Sequence, residues 1–123
     1  MHKYKSGDDV GTLDYWPFDN PASEYRIVQG DPKAYGRIDQ GGSGHTTRFG
    51  MWRCTAGKFE CTEQGDELMT VLSGRCRITH HVSGDVLDLG PGNTLFIQDG
   101  SRVTWDVLEE VTKLFFGHKT QGY

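Results

Sequence analysis

The sequence predicts an all-β protein, and three observations carry that expectation. Glycine fills 17 of the 123 positions, so tight turns must be frequent. From residue 46 onward, short apolar or alternating runs recur at close spacing, each bounded by Gly, Asp, Asn or Ser, the pattern of a sandwich or barrel. No segment carries a helical period. A chain of this length forms one domain and buries a core without disulfides or a structural metal.

The elements follow in order. Residues 1–14 are polar and lack a sustained period, and Leu13, Tyr15, Trp16 and Phe18 then bring bulky side chains that need burial. Pro17 and Pro21 keep this stretch out of a regular helix interior. Residues 1–24 are expected as an N-terminal arm packed on the body or on a neighbouring subunit, with 25–123 as the single domain. Residues 25–28 read as a short strand. Gly41, Gly42 and Gly44 mark a loop; a phosphate cradle there would need a strand before it and a helix after it, and no helical pattern follows. Strands are expected near 46–54, 58–63, 67–73, 75–82, 85–89, 94–98, 102–109 and 111–118. Ser83-Gly84 and Pro91-Gly92-Asn93 supply turns, because glycine accepts the positive φ that such turns demand. Val103, Trp105 and Val107 share one strand face, before a kink at Glu109-Glu110 and the run Leu114-Phe115-Phe116.

Composition removes several function classes. The formal charge is −4 with Lys and Arg scattered, so the electrostatic footprint of a nucleic-acid binder is missing. No apolar run approaches the roughly 18 to 20 residues of a membrane span, and the start of the chain lacks the apolar stretch of a secretory signal. A cytoplasmic protein is expected. Cys54, Cys61 and Cys76 cannot all pair within one chain and none forms a CxxC, so they are expected as buried free thiols.

Two stretches resemble the motifs of a known superfamily. In residues 57–74, Glu67 is followed seven residues later by Gly74, just before another β-like run. This resembles the first cupin motif, in which two histidines precede a glutamate and a glycine closes the pattern. In residues 91–103, Gly92 and Gly100 carry the spacing of the second cupin motif. The likeness spans roughly residues 46–117. It is similar to the subfamily of (S)-ureidoglycine aminohydrolase and ethanolamine-utilisation cupins, in which a Trp and then a Lys follow the second-motif glycine. Those positions read Gly100, Trp105 and Lys113, with Met51-Trp52 on the strand that precedes Gly57. The resemblance implies a cupin double-stranded β-helix, a jelly-roll barrel, and pairing into a homodimer.

In metal-bearing cupins the first-motif histidines and glutamate and a second-motif histidine project into the barrel and hold a divalent ion. Counting back from Glu67, the histidine positions fall on Glu63 and Cys61; the second-motif histidine position falls on Val103, and Gln98 replaces that motif's proline. Cys61, Glu63 and Glu67 are the possible ligands that remain, an unusual set without an imidazole. Either no cofactor or a divalent metal on these three residues is compatible with the pattern. If the protein is an enzyme, Glu67 and Glu63 are the candidate catalytic pair, since burial side by side raises one carboxyl pKa and leaves a proton-transfer couple. His80 and His81 are adjacent and, on a strand, face opposite sides. His45 sits on the glycine-rich loop. Trp52, Trp105 and Phe59 read as core or as stacking surfaces for a sugar or purine-derived ligand.

The functional expectation is a small-molecule-binding cupin of catabolic metabolism, with the ligand contacted by Met69, Gln98 and Trp105 beside the two glutamates. The alternatives are a metal-dependent enzyme acting on a small nitrogenous or sugar substrate, as in the ureidoglycine aminohydrolases, and an accessory or structural cupin of a larger assembly.

Overall fold

The structure, a computed structural model, describes residues 1–123. Nine strands form one antiparallel, strongly curled sheet: β1 (Asp14–Tyr15), β2 (Arg26–Gln29), β3 (Ala34–Gly41), β4 (Thr47–Cys54), β5 (Gly57–Thr62), β6 (Asp66–His80), β7 (Val86–Leu89), β8 (Thr94–Ile97) and β9 (Arg102–His118). The single helical element is a 3-10 turn at Pro21–Ser23, capped by the Asn20 side chain on the Ala22 N–H. No helix is long and apolar enough to cross a membrane. The all-β barrel expected from the turn-rich pattern is what the chain forms.

β9 organises the sheet. One edge pairs with β5 through residues 102–107 and with β4 through residues 111–118, while the other edge pairs along its length with β6. The β6 strand is continued in turn by β8 beside its first half and β7 beside its second. The sequence breaks expected near residues 74 and 110 are therefore not strand ends. They are a bulge, where the β6–β9 register shifts between Val71 and Cys76. An extra residue bends a strand and raises its twist without ending the pairing, so two long strands turn a barrel corner here. Gly74 sits at that corner with φ +81°, and a Cβ on it would lie 2.0 Å from the Glu110 carbonyl oxygen.

Alternation then fixes which side chains face inward. Phe59 and Cys61 of β5, Met69 and Val71 of β6, and Val103, Trp105, Val107, Val111 and Phe115 of β9 form the interior with Cys54, Cys76, Ile78, Leu89 and Ile97. The three cysteines are free and buried. Burial pushes the Cys54 thiol up to about 12 and the Cys76 thiol up to about 11.

The N-terminal arm packs on the body of its own chain. Its first part lies on the outer face, where Val10 is buried with Met51 and Leu72. Arg37 ties it down, donating to the Val10 carbonyl at 2.6 Å and to the Tyr4 hydroxyl at 3.2 Å while pairing with Asp39. Its second part crosses to the barrel mouth: β1 pairs with β3, and Trp16 lies flat on Gly36, where any Cβ would collide with the indole at 2.2 Å. The β3 strand was not legible in the sequence, because Gly36 and the alternation of Ala34, Gly36 and Ile38 with polar residues give a weak apolar signal. Gly36 is bare because the Trp16 ring takes its side-chain space.

Substituting Gly74 by Ala should cost about 1–3 kcal/mol for the left-handed backbone alone, and more for the carbonyl clash. Gly90, which has open space around it and an ordinary φ, is the control: Gly90→Ala should leave the denaturant midpoint nearly unchanged. Equal midpoints for the two variants in urea unfolding would refute the account of the corner.

Candidate functional site

The barrel holds an open-mouthed cavity of about 450 Å³, within the range of small-molecule sites. Its polar end is built on three strands. Glu67 lies one residue inside the start of β6, facing inward in the same row as Met69 and Val71, and is directly opposite Gly117 of β9. Lys113 is an inward residue of β9 between Val111 and Phe115, opposite Trp52 of β4. Its Nζ donates to Glu67 Oε2 at 2.5 Å and approaches Met69 Sδ at 3.7 Å. The ammonium also stands 4.7 Å from the Trp52 ring centroid and 4.5 Å from that of Trp105. The two side chains of the pair are only 6% and 12% exposed. Two indole faces and a carboxylate thus surround the cation; the ring quadrupoles stabilise it by attraction where water cannot.

Glu63 follows the end of β5. Its backbone is locked to the turn after β8, the Glu63 N–H donating to the Ser101 carbonyl and the Gly100 N–H to the Glu63 carbonyl, each at 2.9 Å. Its Oε1 accepts from Trp105 Nε1 at 3.1 Å and from Cys61 Sγ at 3.7 Å. Removal from bulk water lifts this carboxyl well above the ordinary carboxylate range, and the negative charge of Glu67 lifts it further, against the opposing Lys113 ammonium and the Trp105 hydrogen bond. The site therefore sets an ion pair beside a carboxyl whose protonated form burial favours, with its second oxygen left without a protein partner.

Aromatic side chains make the rest of the wall. Phe59 stacks parallel to Trp105 with centroids 6.3 Å apart, Phe18 lies 4.5 Å from Phe59 and 4.8 Å from Tyr25, and Trp16 meets Phe115 edge-on at 6.4 Å. The arm that carries Trp16 and Phe18 is held over the mouth by two side chains of the body. Arg102 donates to the Glu24 carbonyl at 2.7 Å and to that of Ser23 at 3.2 Å, and Gln64 donates to that of Ala22 at 3.0 Å.

The residues expected at the site divide. Glu63, Glu67, Cys61 and Trp105 all line the cavity. Met69 is fully buried beneath Lys113, as a packing layer rather than a wall. Gln98 is a correction: it is exposed and borders a different cleft, beside His80 and Asp85. Leu95 and Ile97 turn inward from β8, so the next residue turns out. Val103 is a core residue with no exposure, and His45, His80 and His81 lie outside the cavity lining. His81 bonds to the Thr104 hydroxyl at 2.7 Å instead. Lys113 and Arg48 complete the site without having been singled out for it, and Trp52, read from the sequence as core or stacking surface, lines the cavity with them. The available signal was a charged residue at an inward position of an apolar alternation, as in Val111-x-Lys113-x-Phe115 and Arg48-x-Gly50-x-Trp52.

The profile of the EutQ-like cupin domain matches residues 41–115, more than half the chain. The chain belongs to the EutQ-like cupin family. Among solved structures, the EutQ protein of Clostridium difficile aligns over 76% of this cupin and 80% of its own chain, at 17% identity and a TM-score of 0.60. A putative ethanolamine utilization protein Q from Salmonella typhimurium covers 88% and 98% at 16% identity, TM-score 0.58. A DUF861-family protein of unknown function from Pseudomonas syringae pv. tomato gives 21% identity and a TM-score of 0.70 over 89% of this chain and 45% of its own. At these identities the likeness is one of fold. No curated protein matches.

Cupins can hold a metal ion, and the donors of this EutQ-like cupin do not fit one. Glu67 is occupied by the Lys113 ammonium, a cation already in place. Burial raises the Cys61 thiol far above its ordinary value, so it stands as a thiol that donates to Glu63 Oε1 and not as a ready thiolate. No group of three or more His, Cys, Asp and Glu side chains is arranged around a common point.

Two outcomes follow from this geometry. Lys113→Met leaves a buried carboxylate unpaired and should cost about 3–5 kcal/mol in chemical denaturation, whereas Glu67→Met/Lys113→Met should recover most of the loss, because an apolar pair replaces the ion pair; additive losses would refute the pairing. Because Glu63's folded value is raised, the native state holds an extra proton that the unfolded chain releases near pH 4.3. Its contribution to stability is therefore largest below that pH and declines as pH rises through its folded value. Glu63→Gln should flatten that decline, and an unchanged slope in pH-dependent unfolding would contradict the assignment.

Proposed function

We propose that this cupin binds a small, ring-shaped polar organic molecule inside the barrel and does so without a metal ion. The observation that supports this most is the buried Lys113–Glu67 pair between Trp52 and Trp105, with the carboxyl of Glu63 beside it. A fixed cation, a carboxylate acceptor and an acid donor converge on a cavity whose other walls are aromatic faces. Aromatic walls favour a flat ring, and the three polar groups read its substituents by hydrogen bonds that water cannot contest. Sugars and purine-derived compounds of catabolic metabolism meet that description. The departures at Cys61 and Glu63 from the ureidoglycine aminohydrolase pattern speak against that metal-dependent reaction.

One observation favours a second reading, catalysis by proton transfer. A carboxyl held neutral at Glu63 and a carboxylate at Glu67, close enough for the charge of one to lift the other, form an acid and a base on one wall. A bound ligand with an acidic C–H would then exchange that proton with solvent.

A thermal-shift screen of the wild-type protein against sugars, purines and small aromatic acids tests the binding reading. The expected result is at least one compound that raises Tm and quenches tryptophan fluorescence, with both effects lost in Glu67→Gln and Glu63→Leu. No stabilising compound, or stabilisation that survives both substitutions, would overturn it. Solvent deuterium appearing in the ligand by NMR, absent with Glu63→Leu, would establish the second reading over simple binding.

A further inference from the structure

Arg48 and Lys119 are the charged groups of the cavity wall left without a counter-charge, and Arg48 is the one held in place by aromatic rings. It lies on β4 opposite Gly117, and its guanidinium is held between two rings, with Cζ 4.2 Å from the Tyr123 centroid and 5.4 Å from that of Phe115. No carboxylate pairs with it, although Lys113, another cation of the wall, is satisfied by Glu67. Its Nε is buried without a partner, and so is the Tyr123 hydroxyl beside it. The Tyr123 hydroxyl occupies space left by two glycines: a Cβ on Gly117 would meet it at 2.5 Å and one on Gly65 at 2.6 Å. The Tyr123 backbone is clamped to the glycine-rich loop, through the Gly44 N–H to its carbonyl at 3.0 Å and its own N–H to the His45 carbonyl at 2.9 Å.

A guanidinium stacked between rings keeps its plane and its donors fixed, which is the preorganised form that recognises a planar carboxylate through two parallel hydrogen bonds. An unpaired charge beside buried polar groups without partners is costly. A bound anion relieves that cost. Lys113 and Glu67 cancel, and the unpaired Arg48 gives its corner of the wall a positive charge.

We propose that Arg48, supported by Tyr123, is a carboxylate-recognition subsite, and that the ligand of the cavity is a ring compound bearing a carboxylate. This rests on the small-molecule reading of the cavity given above and adds the class of compound. The ring lies against the aromatic wall and the carboxylate meets the terminal nitrogens of Arg48.

Isothermal titration with matched probes tests it: benzoate against benzamide, nicotinate against nicotinamide, and phenyl phosphate as the dianionic arm. Each acid should bind roughly 10- to 100-fold more tightly than its amide, the advantage of hydrogen bonds to a charged group. Arg48→Gln should abolish that preference while amide binding persists, which also shows that the variant is folded. Arg48→Lys, which keeps the charge and loses the fork, should retain only part of the preference. Equal affinity for acid and amide in the wild-type protein would overturn the Arg48 assignment alone and leave the cavity reading intact, as would an acid preference that survives Arg48→Gln. Tighter binding of phenyl phosphate than of benzoate would overturn the carboxylate class. Binding by none of these probes would overturn the subsite together with the reading on which it rests.

Discussion

A lysine ammonium inside a barrel is the constraint around which the interior is arranged. Taken from water without partners, such a charge costs several kcal/mol even after relaxation. Here Glu67 supplies the opposite charge, Trp52 and Trp105 supply negative ring faces, and Met69 supplies a soft sulfur. These partners come from three neighbouring strands, β4, β6 and β9, so the charge is stable only when the register among them is correct. A shift of one residue in β6 or β9 would turn Glu67 or Lys113 to the outside. The ion pair thus links the chemistry of the cavity to the specificity of the fold.

The same arrangement settles what the polar end of the cavity offers. A carboxylate already neutralised by an ammonium has little left for a divalent ion. A thiol held protonated by burial beside Glu63 has still less. What remains is a set of fixed donors and acceptors at the end of an aromatic chamber. The arm bearing Trp16 and Phe18 forms part of the wall of that chamber, because Arg102 and Gln64 hold its backbone carbonyls. Part of the wall of the site thus comes from residues that precede the barrel strands, a contribution that barrel topology alone does not convey.

Much of the fold was legible because turns and alternation are local signals. The spacing of Glu67 and Gly74 was legible as well, and its reason is now physical: Gly74 accepts the positive φ of the bulge that lets β6 continue past the corner, while Glu67 faces inward near the start of that strand. What could not be read was whether residues 66–80 and 102–118 were two strands or four, since a bulge and a turn place the same residue types in sequence. The site was half legible. Inward glutamates follow from parity, but the partner of Glu67 lies 46 positions away, and Arg48 meets Tyr123 only through the curl of the sheet. Gln98 was misplaced by one step of alternation, the smallest error that reverses a strand residue's direction.

Glu67 at the polar end of this cupin's cavity is neutralised by Lys113 and not by a metal ion. Isothermal titration of the purified protein with Mn²⁺, Ni²⁺ and Zn²⁺, repeated on Glu67→Gln, addresses that claim most directly. The expected result is no stoichiometric binding in the wild-type protein and no change on substitution at Glu67. One equivalent of ion bound tightly by the wild-type chain and lost with Glu67→Gln would contradict it, because the carboxylate would then belong to a metal and not to the lysine.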